Sequence, residues 1–127
     1  MPTIRTVMTG QRKVNQQEAA IEGVLTGFRL EDKRLSLRIA SGTSDIDGCK
    51  AILEGVTEAR LHGRNAVYLA FLLRWGDRIT VFGWLSKYGL QGRGLGFTDP
   101  EPKDMAQREA EAENKLFQYE AENWEYF

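Results

Sequence analysis

The chain has 127 residues, 42% hydrophobic and 28% charged, the composition of one globular domain with an appendage and enough length to bury a core without cross-links. A single cysteine, Cys49, and a single histidine, His62, exclude an intrachain disulfide and a Cys/His metal cluster, and the longest apolar run, Ala66 to Leu73, is too short to cross a bilayer. The net charge of −1 hides an asymmetry: residues 1–98 hold 14 Lys/Arg against 9 Asp/Glu, whereas residues 99–127 hold 3 against 9, so a basic body that attracts phosphates is joined to an acidic end.

Residues 1–19 are polar and lack strong periodicity, and they read as a flexible N-terminal arm with room for a short edge strand at its end. Arg5, Arg12 and Lys13 precede no apolar run, so no secretory signal is expected; with the lone thiol, this fits a reducing, cytoplasmic setting. In the next stretch, Ile21 to Arg29 is rich in strand formers, with Gly23 and Gly27 marking bends or bulges. Leu35, Leu37 and Ile39 then alternate with Arg34, Ser36 and Arg38, the period of a half-buried strand, and Glu31-Asp32 makes the pair a hairpin. Ser41–Gly48 has turn chemistry throughout.

Cys49–Leu61 fits a helix period at Cys49, Ile52, Leu53, Val56 and Ala59, but Gly55 argues mildly against one. An internal echo favours strands. Glu22-Gly23-Val24 and Arg29-Leu30 precede one apolar strand; Glu54-Gly55-Val56 and Arg60-Leu61 precede Ala66–Leu73, with a turn at residues 62–65. Ala66–Leu73 itself reads as a buried strand or a short helix, since periodicity does not separate the two. Arg78–Tyr88, after the Trp75-Gly76-Asp77 turn, is the clearest strand: Ile79, Val81 and Leu85 on one side, Arg78, Thr80, Phe82, Trp84 and Tyr88 on the other. Gly89, Gly92, Gly94 and Gly96 form a loop around Arg93, and residues 95–98 a last short strand. Thr98-Asp99-Pro100-Glu101 has the form of a capping box with an early proline. Asp104–Ala121 is then a charged helix, with Glu111 and Lys115 spaced to pair and Met105, Ala112, Leu116 and Tyr119 as a narrow apolar stripe.

The stretch Gly76-Asp77-Arg78-Ile79-Thr80-Val81-Phe82-Gly83-Trp84-Leu85 resembles a strand common in OB-folds. The glycine-rich segment after it stands where single-stranded DNA-binding proteins of that class carry a mobile hairpin loop. The ending Asn123–Phe127 is similar to their acidic tail with a terminal aromatic. The usual long Gly-, Pro- or Gln-rich linker is replaced here by a helix, and the tail is less densely acidic. The resemblance implies a mainly β fold: a small OB-like five-stranded barrel at 20–98, followed at 99–127 by a C-terminal α-helix and acidic-aromatic tail.

The residues carry the same reading. Phe82, Trp84 and Tyr88, beside Arg78, form a stacking platform for unpaired bases. Arg29, Lys33, Arg34 and Arg38 cluster on the polar side of the first hairpin as phosphate contacts, joined by Lys87 and Arg93 from the glycine-rich loop. Each has a plainer alternative: Phe82 and Trp84 packed under the C-terminal helix, the cations as a solvated face, the loop as mere turn. Gly92-Arg93-Gly94-Leu95-Gly96 lacks the spacing of a nucleotide-phosphate loop. Asp45 and Asp47 suit a turn as well as any acid–base pair, His62 falls in a turn, and Cys49 is expected as a buried thiol. Phe117 and Tyr119 are expected to pack on the body, with Trp124, Tyr126 and Phe127 beyond the helix as a partner-binding peptide.

The expectation is therefore non-catalytic binding of single-stranded nucleic acid, DNA favoured over RNA, with no cofactor, no metal and no membrane. The tail recruits protein partners, and the fold leaves room for a homo-oligomer. The alternative is a structural or adaptor subunit, or a small inhibitor, acting through protein contacts of the aromatic tail. No nucleophile–base or metal set can be assembled, so an enzyme is the weakest reading.

Overall fold

The computed structural model describes residues 3–8, 18–46, 48–52, 55–86, 89–98 and 101–123. The chain is mainly β. Its strands are β1 (Thr3–Met8), β2 (Glu18–Glu31), β3 (Arg34–Ile46), β4 (Cys49–Ile52), β5 (Thr57–His62), β6 (Arg78–Ser86) and β7 (Gly89–Thr98). Helix α1 (Arg64–Leu72) separates β5 from β6, and α2 (Met105–Glu122) follows β7. Five strands form a ring in the order β7, β5, β3, β2, β6, closed by pairing of β6 with β7. Pairing around it is antiparallel except between β5 and β7. Strand β1 adds to β7, and β4 folds back on β3 as a short hairpin.

Alternation decides which side of each ring strand faces the core. Leu35, Leu37 and Ile39 of β3, Ala59 and Leu61 of β5, Ile79 and Val81 of β6, and Leu95 of β7 are all fully buried in one cluster. Each large aliphatic side chain so enclosed contributes about 2 kcal/mol. Strand β2 keeps Ile21 and Leu25 inward, then shifts register between Leu25 and Gly27. The extra residue lets Phe28 and Leu30 also face the core opposite Leu37 and Leu35. The β2–β3 turn passes through Asp32, in a left-handed conformation at φ 54°.

Ala66–Leu73 is helix α1 and its C-cap, not the return strand that the echo favours. Both neighbours of β5 are already strands, β3 and β7, so the chain leaving it has no partner to pair with. It turns at Gly63, whose carbonyl accepts from the Ala66 and Val67 amides, and packs Ala66, Leu69 and Leu72 into the core. Cys49 is exposed rather than buried, because β4 pairs at the outside of the ring and all four of its residues face water. The capping box is not used. Helix α2 starts at Met105 with Asp104 as N-cap and no side-chain cap bond, while Thr98 ends β7 with its hydroxyl 3.2 Å from that of Thr80.

Helix α2 packs on α1 through Met105, Ala112 and Leu116. Phe117, expected on the body, stands about 100° round the helix from Leu116 and is 75% exposed. Tyr119 does dock. Its ring meets Phe71 edge-on at 6.1 Å between centroids, and its hydroxyl donates to the Asp32 carbonyl at 3.0 Å. Glu111 turns to Arg74 at 3.7 Å instead of to Lys115. Among the described residues no helix is long and apolar enough to cross a membrane.

Candidate nucleic-acid interface

Register places the basic residues on the outer face of the ring. Three cross-strand rows run over β2, β3 and β5: Glu31 beside Arg34 beside His62, Arg29 beside Ser36 beside Arg60, and Gly27 beside Arg38 beside Glu58. Their neighbours along each strand point into the core, so these side chains share the opposite surface. Arg29, Arg34 and Arg38, assigned to phosphate contact from sequence, therefore lie together, and β5 adds Arg60 and His62. Sequence reasoning missed both additions. Neither has a local signal, because β5 becomes a neighbour of β3 only when the ring forms.

The carboxylates on this face neutralise it incompletely. Glu31 is shared, 3.7 Å from Arg29 and 3.5 Å from Arg34; Glu58 lies 4.0 Å from Arg60. Arg38 is exposed and has no carboxylate within 4 Å among the described residues. Exposed pairs at such distances are weak and screened by salt, so the guanidiniums remain available to another anion. His62 feels that surplus only in part. Its pKa is held below the ordinary 6.5, first by partial loss of water around the ring, then by the nearby Arg34 and Arg60 charges.

The aromatic strand is a different surface. On β6, Arg78 is exposed and pairs with Glu22 at 3.5 Å, away from the other arginines. Thr80 interrupts the expected open ladder, being buried with its hydroxyl against Thr98. Phe82 and Trp84 are half-buried. Helix α2, the expected cover, packs on α1. The tip of the Phe82 ring lies over Gly94, where a Cβ would come within 2.3 Å of it. Arg93, the extra residue of a β7 bulge, holds its guanidinium 5.5 Å from the Phe82 ring centroid. Glu18 and Asp45 line the adjoining cleft with Phe82 and Arg93, so this side is mixed in charge. The second row continues past Arg60 through Gln91 to Trp84 and links the two surfaces, with Trp84 beside Gln91 at the border of the basic face.

Lys33 is half-buried in the hairpin turn, where its carbonyl accepts from Gly63. Lys87, Tyr88, Trp124, Tyr126, Phe127 and Asp47 lie outside the described residues. Asp45 serves a turn, its Oδ1 accepting from the Gly48 amide at 3.0 Å. One aromatic does stand against the basic face. Trp75, whose sequence context signals only a turn, is 74% exposed and lines a cleft of about 470 Å³ with Arg29, Arg38 and Glu58.

No family model, curated protein or solved structure matches the chain. Because His62 is the sole histidine, its ring resonances report the local potential without ambiguity. Titrated by NMR, the free protein is expected to give a pKa below 6.5, and an Arg34→Gln/Arg60→Gln variant a higher one. An unchanged value in the variant would show that these guanidiniums do not act on the ring.

Proposed function

We propose that this chain binds single-stranded nucleic acid, without catalysis, on the outer face of β2, β3 and β5, and that its ring is an OB-type barrel. The observation that carries the reading is the gathering of Arg29, Arg34, Arg38 and Arg60 on one open face with, among the described residues, only Glu31 and Glu58 between them. The ring supports the barrel assignment: five strands close on themselves through the β6–β7 pairing, the strand number of an OB-type barrel. Trp84 at the border extends the same surface in this reading. Stacking on aromatics and contacts to phosphate carry little sequence information, so affinity depends on strand length and salt rather than on sequence.

A salt titration with a labelled 15-nucleotide DNA, followed by anisotropy, tests the proposal. Four phosphate contacts predict a log–log slope of about −3, from about −0.7 per phosphate on a single strand. Absence of binding at low salt overturns it and leaves the second reading, an adaptor acting through protein contacts. That alternative is favoured by Phe117, which α2 holds out at 75% exposure.

A further inference from the structure

We propose that the cleft between Trp75 and the basic face is a nucleotide subsite, in which one base of the bound strand stacks on the Trp75 indole while its phosphate lies against Arg29 and Arg38. This rests on the reading of the face given above, and adds to it a stacking residue outside the β6 strand.

The first support is that Trp75 is exposed and yet held. The turn carrying it is tied to β2 on both sides: the Gly76 amide donates to the Leu25 carbonyl at 2.8 Å, and the Leu25 amide to the Asp77 carbonyl at 2.9 Å. Gly76 takes φ 92°, which a side chain would resist, so the chain reverses sharply just after the indole. Behind the turn, the Asp77 carboxylate accepts from the Arg74 amide at 2.8 Å and from Arg108 at 2.7 Å. With the backbone beneath the indole fixed, stacking a flat partner on it costs less ordering than stacking on a loose turn would.

The second support is the chemistry of the cleft. Its volume, about 470 Å³, is within the range that holds a small ligand. Arg29 and Arg38 bring two guanidiniums to one side. Glu58 stands opposite Arg38 in the β3–β5 register. A bare phosphate would meet that carboxylate as a repulsion. A nucleotide offers an anionic group to the arginines and amino hydrogens of a base to Glu58, so the mixed lining suits the whole unit better than the ion alone.

The third support is the wall. Gly27 sits in the β2 bulge opposite Arg38, and a Cβ added there would meet nothing within 4 Å. Its φ is not in the left-handed region, so a side chain at this position is tolerated by the backbone and projects into open space at the cleft. Gly27→Val therefore obstructs the subsite while leaving every charge and Trp75 in place.

The experiment uses the full chain and a 15-nucleotide oligo-dC, with affinity read by anisotropy. Trp75→Ala and Gly27→Val are each expected to weaken binding about tenfold, and Trp75→Phe to restore most of the loss. In a Trp84→Phe/Trp124→Phe background, the emission of Trp75 is expected to be quenched as oligonucleotide is added. Unchanged affinity in both variants with no quenching, while the wild type still binds in a salt-dependent way, overturns the subsite and leaves the basic face standing. Loss of self-association in Trp75→Ala by sedimentation, with oligonucleotide affinity intact, also overturns it, by making Trp75 a contact between copies. Failure of the wild type to bind removes both proposals together.

Discussion

An Arg38→Gln/Arg60→Gln variant is expected to bind a 15-nucleotide DNA about a hundredfold more weakly than the wild type at moderate salt. These two cations are the least neutralised on the face: Arg38 has no carboxylate within 4 Å among the described residues, and Arg60 reaches Glu58 only at 4.0 Å. Arg29 and Arg34 divide Glu31 between them and are each partly cancelled before any ligand arrives. A hydrogen bond to a charged group is worth about 1.5 kcal/mol or more, so losing two removes about 3 kcal/mol, or two decades of affinity. The log–log salt slope should also become shallower by about 1.4, two contacts at about 0.7 each. Glutamine keeps most of the length of the side chain, which preserves the apolar packing of its stem. The thermal midpoint is therefore expected to stay within a few degrees of the wild type. Equal affinity and slope in the two proteins would mean that phosphates do not sit on this face.

The charge asymmetry read along the chain becomes an asymmetry in space. Carboxylates of α2 reach cations at and after α1: Glu120 lies 2.8 Å from Arg64, and Glu111 lies 3.7 Å from Arg74. The acidic segment thus neutralises the helical side of the molecule. It leaves the arginines of β2, β3 and β5 with two carboxylates of their own strands. A basic body with an acidic end folds into a ring with one basic face, and overall net charge conveys none of this.

Local periodicity made part of the fold legible. The alternation through Leu35, Leu37 and Ile39 identified which side of β3 is buried, and therefore that Arg34 and Arg38 face out; the same reasoning held for Ile79 and Val81 on β6. What it could not supply is which strands stand side by side. Arg60 and His62 join the site because β5 pairs with β3, a contact set by closure of the ring rather than by any pattern between residues 49 and 61. The same closure leaves residues 64–72 no strand to pair with, and so makes a helix of a run whose composition allowed either. Thr80 shows the converse limit. Alternation assigns it correctly to the outer side, but Thr98, from the adjacent strand, covers it there. Trp75 was hidden for another reason. A tryptophan in a Gly-Asp turn reads as turn chemistry, and only the backbone bonds that tie the turn to Leu25 bring it over the basic face.

Asp77→Ala is expected to have the largest effect on stability, a loss of about 3 kcal/mol. Asp77 is 7% exposed, and its partner Arg108 12%. The carboxylate joins three elements, since it accepts from the Arg74 amide after α1, accepts from Arg108 of α2 at 2.7 Å, and stands at the entrance to β6. Removing one member of a largely buried pair leaves the other uncompensated, at a cost of about 3–5 kcal/mol. Arg108 retains Asp104 at 3.1 Å, which places the expected loss at the lower end. For a chain of this size that is a fall in melting midpoint of about 12 °C, taking about 4 °C per kcal/mol. The double variant Asp77→Ala/Arg108→Met removes the stranded charge along with its partner, and it is expected to recover part of the loss. Urea unfolding of the three proteins checks the order: wild type most stable, double variant intermediate, single variant least. A single variant within about 1 kcal/mol of the wild type would show that the pair does not hold α2 to the ring. The same variant bears on the Trp75 turn. Its backbone bonds to Leu25 remain, but the carboxylate that fixes Arg74 is gone, so hydrogen exchange at Gly76 is expected to quicken more than at β3 amides.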